Sequence, residues 1–167
     1  MEFTEAKNKF VQTWGALGSQ WGINKTMAQI HALLMVSNEA LSMEDIMEEL
    51  QISRGNASMN IRALIDWGIV YKEFKHGERR EFFTAEKDLD ELAIKIAKER
   101  SKREIKPALK VLKEVSTDVD IKTTEGKYFA EQTDKLYEFV LKTDNIIEKA
   151  TEYKDNWLTK LLMKMMK

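Results

Sequence analysis

After Gly68 the apolar residues of this 167-residue chain change period, from about 3.6 to about 2. Before that glycine, Ala57, Ile61, Leu64 and Ile65 fall at i, i+4, i+7 and i+8, the spacing of a helix with one buried face. Beyond it, Ile69 to Lys75 and Arg80 to Thr84 read as two short strands around His76-Gly77-Glu78-Arg79, a turn with glycine at its tip. A helix that stops at a glycine and gives way at once to a hairpin admits few folds, and what precedes it narrows them further.

Upstream, Ser42 can accept from the amide three residues on while Asp45 reaches back, a capping box that opens a short helix from Met43 to Leu50. Gln51-Ile52 turns the chain into Ser53, a second cap, and the helix that ends at Gly68 begins there. Before these, Phe3, Ala6, Phe10, Val11, Trp14 and Leu17 predict a first helix from Glu2 to about Leu17, with Gly18 and Gly22 bracketing a break. Asn24 or Thr26 caps a second, whose face is Met27, Ile30, Leu33 and Leu34. The order helix, short helix, tight turn, helix, hairpin over residues 26–85 is the winged helix-turn-helix layout, in which the second helix of the motif enters the DNA major groove.

From Lys87 the pattern is helical again through Leu92 and Ile96, and Pro107 kinks that helix or starts another in its first turn. Ser116-Thr117-Asp118 with Thr123-Thr124 marks a loop, and one or two helices follow, carrying Phe129, Leu136, Phe139, Val140, Ile146 and Ile147. The fold expected is mainly α: a winged helix-turn-helix with a two-stranded β-hairpin wing and long dimerisation helices. Its parts are an N-terminal dimerisation helix over 1–22, a DNA-binding domain over 23–86 and a C-terminal helical dimerisation region over 87–167. The basic amphipathic end, Asn156 to Lys167, is expected to dock on the dimer helices in preference to a membrane surface.

Charge agrees with a localised interface. The chain carries 27 Lys and Arg against 28 Asp and Glu, so as a whole it is not basic. Residues 1–50 hold three bases and seven acids, whereas 51–85 hold six and four, and Gln51 to Ile65 contains two arginines and no acid. With Ala57, Ile61, Leu64 and Ile65 inward, Ser53, Arg54, Gly55, Asn56, Ser58, Met59 and Arg62 lie on or beside the exposed face. Arginine can bridge two acceptors of guanine or clamp a phosphate, asparagine can pair with adenine, and serine hydroxyls can reach backbone oxygens. Lys72, Lys75, His76, Arg79 and Arg80 make the hairpin basic, with Glu78 and Glu81 among them to orient an arginine or dilute the patch.

Other chemistry lacks its residues. There is no cysteine, which removes disulfides, thiolate metal sites and cysteine nucleophiles and fits a reducing cytoplasm. Two histidines, His31 and His76, leave little for a metal, and His31 is expected to be a packed histidine. No phosphate loop or paired-histidine motif occurs, so neither an enzyme nor a cofactor is expected. No signal core or membrane span is seen, so the chain is expected to be cytoplasmic.

The run Ser53-Arg54-Gly55-Asn56-Ala57-Ser58-Met59-Asn60-Ile61-Arg62-Ala63-Leu64, then Trp67-Gly68-Ile69-Val70, then Gly77-Glu78-Arg79-Arg80-Glu81, resembles the GbsR branch of the MarR-like winged-helix regulators. Phe10-Val11, Trp14-Gly15, Gly22 and Leu41 to Ile46 extend the likeness over roughly residues 5–110. The resemblance implies a homodimeric transcriptional repressor that binds double-stranded DNA at a pseudo-palindromic operator. Ser53 to Met59 and Arg62 would take the recognition-helix role, and Arg79 and Arg80 the wing role. Some such regulators sense choline or related quaternary ammonium compounds, for which Trp14, Trp21, Trp67, Tyr71, Phe82 and Phe83 are candidate cage aromatics. The alternative to the DNA reading is a winged helix serving as a protein-interaction module.

Overall fold

A computed structural model describes residues 1–155, with the side chains of 151–155 left aside. The expectation for Asn156 to Lys167 lies outside the described residues. The chain forms two compact units, Met1–Leu92 and a second from Ala93 onward.

In the first unit α1 (Phe3–Gln20) packs on α2 (Lys25–Val36), which leads through β1 (Leu41–Ser42) to α3 (Met43–Leu50) and α4 (Arg54–Asp66). The strands β2 (Val70–Glu73) and β3 (Phe82–Ala85) follow. Local chemistry explains the starts. Asn24 accepts from the Met27 amide, Ser53 accepts from the Asn56 amide, and Ser42 and Asp45 form the reciprocal capping box. Gln51 closes the turn between α3 and α4 in the left-handed region (φ 52°), its side-chain amide donating to the Glu48 carbonyl at 2.7 Å. Past α4, Gly68 takes φ +70°, a conformation that costs a residue with a Cβ about 1 kcal/mol or more.

The antiparallel sheet has the order β1-β3-β2, so the hairpin wing gains a third strand. Leu41 pairs with Phe83, and Lys72 pairs with Phe83 from the other side. Ile30, Leu33, Leu34, Ile46, Leu64, Val70 and Phe83 are each less than 2% exposed and form the core on which α4 and the wing rest. Every residue from Met27 to Leu34 is buried, His31 included, so α2 is the central helix of the unit.

The expected break between Gly18 and Gly22 is present but shorter, and it starts after Gln20. α1 runs through Gly18 to Gln20, because Gly18 serves packing here: a Cβ on it would come within 2.5 Å of the Ala28 Cβ. Gly15 has the same role against Gln29, whose side-chain amide donates to Gln12 at 2.9 Å. The turn is made by Gly22 alone, at φ +77°.

α5 (Leu89–Arg100) passes into a π-helical segment (Ser101–Ile105) and then α6 (Lys106–Asp118), with Pro107 in its first turn. Proline offers no amide hydrogen and its ring crowds the carbonyl four residues back, and the helix widens over the preceding residues. α6 packs along α7 (Thr124–Asp155). Buried Ser101 donates to buried Asp144 of α7, and Lys106 pairs with Glu148 at 2.8 Å. The predicted loop begins later than expected, since the hydroxyls of Ser116 and Thr117 donate back to the Lys113 carbonyl and α6 continues to Asp118. No helix among the described residues is long and apolar enough to cross a membrane, and no group of histidines or carboxylates there could hold a metal ion.

Candidate nucleic-acid interface

α4 is held from below by Ala57, Ile61 and Leu64, and its polar face is turned outward. Ser53, Arg54, Gly55, Met59 and Arg62 are exposed, and Ser58 is half-buried. Met59 is 63% exposed. A Cβ on Gly55 would meet nothing within 4 Å, so a partner's backbone could come close there. Gly55, Ser58, Met59, Arg62, Ala63 and Asp66 line an open groove along this face. There is no acid in the first turn of α4, whose amide end carries the positive end of the helix dipole.

Asn56 faces differently from its neighbours. Its side-chain amide reaches Thr26 of α2 at 3.5 Å, and its Oδ1 and carbonyl accept from buried Asn60 at 2.7 and 2.8 Å. It is half-buried in this internal network, so a base would have to compete for it.

The wing loop joining β2 to β3 turns at Gly77, φ +82°. His76, Arg79 and Arg80 are exposed, while Lys75 is half-buried with its ammonium 4.5 Å from the Phe82 ring centroid. The Arg80 guanidinium lies 5.5 Å from the same ring. Beside the wing, Ser58, Arg62, Lys72 and Glu81 share a cleft of about 130 Å³ with apolar side chains of α3, α4 and β3. The structure thus brings Arg62 together with Lys72, whereas Arg79 and His76 lie out on the wing loop.

Carboxylates reach most of these cations. Glu44 of α3 pairs with Arg54, Glu81 with Lys72 at 2.7 Å, Glu78 with Arg80 at 3.2 Å and Glu39 with Lys75 at 3.5 Å. Arg62 and Arg79 have no carboxylate within reach among the described residues. The Glu44 carboxyl is held below its usual range by its own backbone amide and then by Arg54. Arg80 is held above its usual value chiefly by the hydrogen bond to Glu78.

Two features escape a reading of the residues alone. Phe74 is 80% exposed, an aromatic ring beside the wing turn, signalled only by its place among charged neighbours. Glu44 and Glu39 come from other elements and have no local signal at all. Of the candidate cage aromatics, Phe82 and Phe83 are buried in the core, while Trp14 and Trp21 meet edge to face at 6.2 Å.

MepR, a transcription regulator of the Staphylococcus aureus multidrug efflux pump MepA, aligns over 98% of this chain and 93% of its own at a TM-score of 0.38 and 15% identity. A crystal structure of a transcriptional regulator aligns over 90% of this chain and 99% of that chain, with a TM-score of 0.68 and 17% identity, and has the same fold. The chain is 25% identical over 99 residues, 59% of its length and 54% of the relative's, to the HTH-type transcriptional repressor GbsR of Bacillus subtilis (strain 168). It thus spans about half the length of that curated relative. Residues 21–81 match the MarR family. The segment running from the end of α1 to the foot of β3 therefore has the winged helix-turn-helix layout and is similar to the MarR family.

Proposed function

We propose that this chain is a sequence-specific DNA-binding transcriptional regulator, a homodimer that acts as a repressor, the role named for the GbsR protein it resembles. The observation that carries the reading is the outward face of α4: Ser53, Arg54, Gly55, Met59 and Arg62 are exposed together, the helix has no acid in its first turn, and the basic wing follows directly. α4 would read bases in the major groove, Arg62 and Arg54 supplying the bidentate contacts, while Arg79, Arg80, Lys75 and His76 of the wing would meet phosphates or a narrow minor groove.

Dimerisation is assigned to residues 1–22 and 87–167, flanking a DNA-binding domain over 23–86. Phe3, Leu136, Phe139 and Ile146, which are 73%, 50%, 69% and 68% exposed, support that assignment as apolar surface left open on helices. A two-fold dimer would bind a pseudo-palindromic operator with half-sites about one helical turn apart. The chain would act in the cytoplasm. A quaternary ammonium effector would need an aromatic cage without Phe82 and Phe83, with Trp14, Trp21, Trp67 and Tyr71 remaining.

Salt-titrated fluorescence anisotropy tests the reading, with DNA from upstream of the protein's own gene against a shuffled duplex. Binding to the native fragment about a thousandfold tighter than to the shuffled one is the expected result. Equal affinity for both, with and without choline, overturns it in favour of a protein-interaction module.

A further inference from the structure

Residues 51–85 hold six Lys and Arg, and four of them are matched to a glutamate. The matching is not a local habit of one strand. Arg54 at the start of α4 is met by Glu44 from α3, and Lys75 in the wing by Glu39 from the α2–β1 connection. Lys72 on β2 is met by Glu81 beside β3, inside the cleft that also holds Arg62. Arg80 is met by Glu78, two residues before it in the wing loop.

All four pairs are solvent-exposed, with 39% to 64% of each basic side chain accessible, so they contribute little to stability. Their effect on an approaching duplex is larger. Binding of arbitrary DNA is driven by cations that replace condensed counter-ions on the phosphates, and a cation already neutralised by a carboxylate releases none. A paired charge also acts on a distant phosphate as a dipole, whose field falls off faster than that of a bare charge.

Resting on the DNA-binding reading above, we infer that Glu44 and Glu81, with Glu39 and Glu78, are internal counter-ions of the interface that suppress its binding to arbitrary duplex. Arg62 and Arg79 then provide the attraction available to any sequence. The paired cations exchange glutamate for base or phosphate only where the duplex places an acceptor in the geometry that the glutamate oxygen vacates. Discrimination thus comes partly from carboxylates that never touch DNA.

The test is the double variant Glu44→Gln/Glu81→Gln, measured by salt-titrated anisotropy on the shuffled duplex beside the wild type. The control is Glu114→Gln/Glu138→Gln, which removes the same charge from the second unit. The expected result is binding to the shuffled duplex about tenfold tighter at low salt, with a log–log slope steeper by about one to two per protomer and a smaller gain on the native fragment. A double variant no tighter than wild type on the shuffled duplex, or a control that gains as much, overturns the inference. Loss of wild-type preference for the native fragment would count against the sequence-specific reading, whereas the variant-to-wild-type ratio on the shuffled duplex decides the role of the glutamates by itself.

Discussion

The Lys87 ammonium donates to the carbonyl of Leu34 at 2.6 Å, across 53 residues of chain. It also reaches the carbonyls of Met35 and Ser37 at 2.8 and 3.0 Å, so one side chain leaving the sheet closes the C-terminal end of α2. Partial burial lowers the Lys87 pKa, but three acceptors at the negative end of a helix dipole favour its charged form. Lys87→Met should therefore cost about 1–3 kcal/mol of unfolding free energy, measured by chemical denaturation. An unchanged midpoint would show that water replaces the ammonium without loss.

His31 makes stability depend on pH. Among the described residues its Nε2 is buried without a hydrogen-bond partner, and desolvation, followed by the nearby charge of Lys87, lowers its pKa from 6.5 to about 4. The unfolded chain takes up this proton near 6.5 while the folded one resists it, so the contribution is complete above 6.5 and is lost as pH falls towards 4. The loss over that window is on the order of 3 kcal/mol. His31→Leu should flatten the stability profile between pH 6.5 and 4, and an identical slope in the variant would locate the effect elsewhere.

The contact of α1 with α2 leaves no room for a side chain at Gly18. Gly18→Val would drive a branched Cβ into Ala28, whose Cβ lies 2.5 Å from the position it must take. A loss of about 1–3 kcal/mol is expected by thermal denaturation. A variant as stable as wild type would mean that α1 can shift without cost.

Side chains of the candidate interface should separate by their salt dependence. Arg62→Ala is expected to weaken binding to the native fragment by about 1–3 kcal/mol, and Arg79→Ala to lower the log–log salt slope by about one. Phe74→Ala should weaken binding with no change of slope, as an apolar group set between base steps would. A slope that falls with Phe74→Ala would make the ring a support for the wing cations instead.

The proposed dimerisation is tested on α7. Leu136→Glu/Phe139→Glu places two charges on its open apolar stripe, and the dimer dissociation constant should rise at least about a hundredfold by sedimentation equilibrium. A variant dimer as tight as wild type would leave α1 and the remaining helices as the interface.

What could be read from the residues follows from the range of the interactions involved. The capping residues Ser42, Asp45 and Ser53, and the left-handed Gly68, act within a few positions of themselves, and the elements they delimit lie where the pattern puts them. β1 is only two residues long and exists because Phe82 and Phe83 lie beside it in space, a relation that Leu41 and Ser42 do not advertise. Gly18 reads as a helix breaker because its value is paid out on Ala28, ten positions away. Glu78 and Glu81, set among several cations, can each orient an arginine or dilute the patch, and the fold resolves them: each takes a particular cation. Asn56 counted as a base-reading side chain by its position on α4, and only the neighbouring α2 and Asn60 show how firmly it is held inside the protein.

The turn closed by Gln51 bears on rates as well as shape. With α4 capped by Ser53 and packed on α3, and the Gln51 side chain bonded to the Glu48 carbonyl, the turn of the motif is already formed before a partner arrives. Encounter should then be limited by diffusion and orientation alone, and substitutions along the outward face of α4 should be felt as shorter residence times on the duplex at nearly constant association rate.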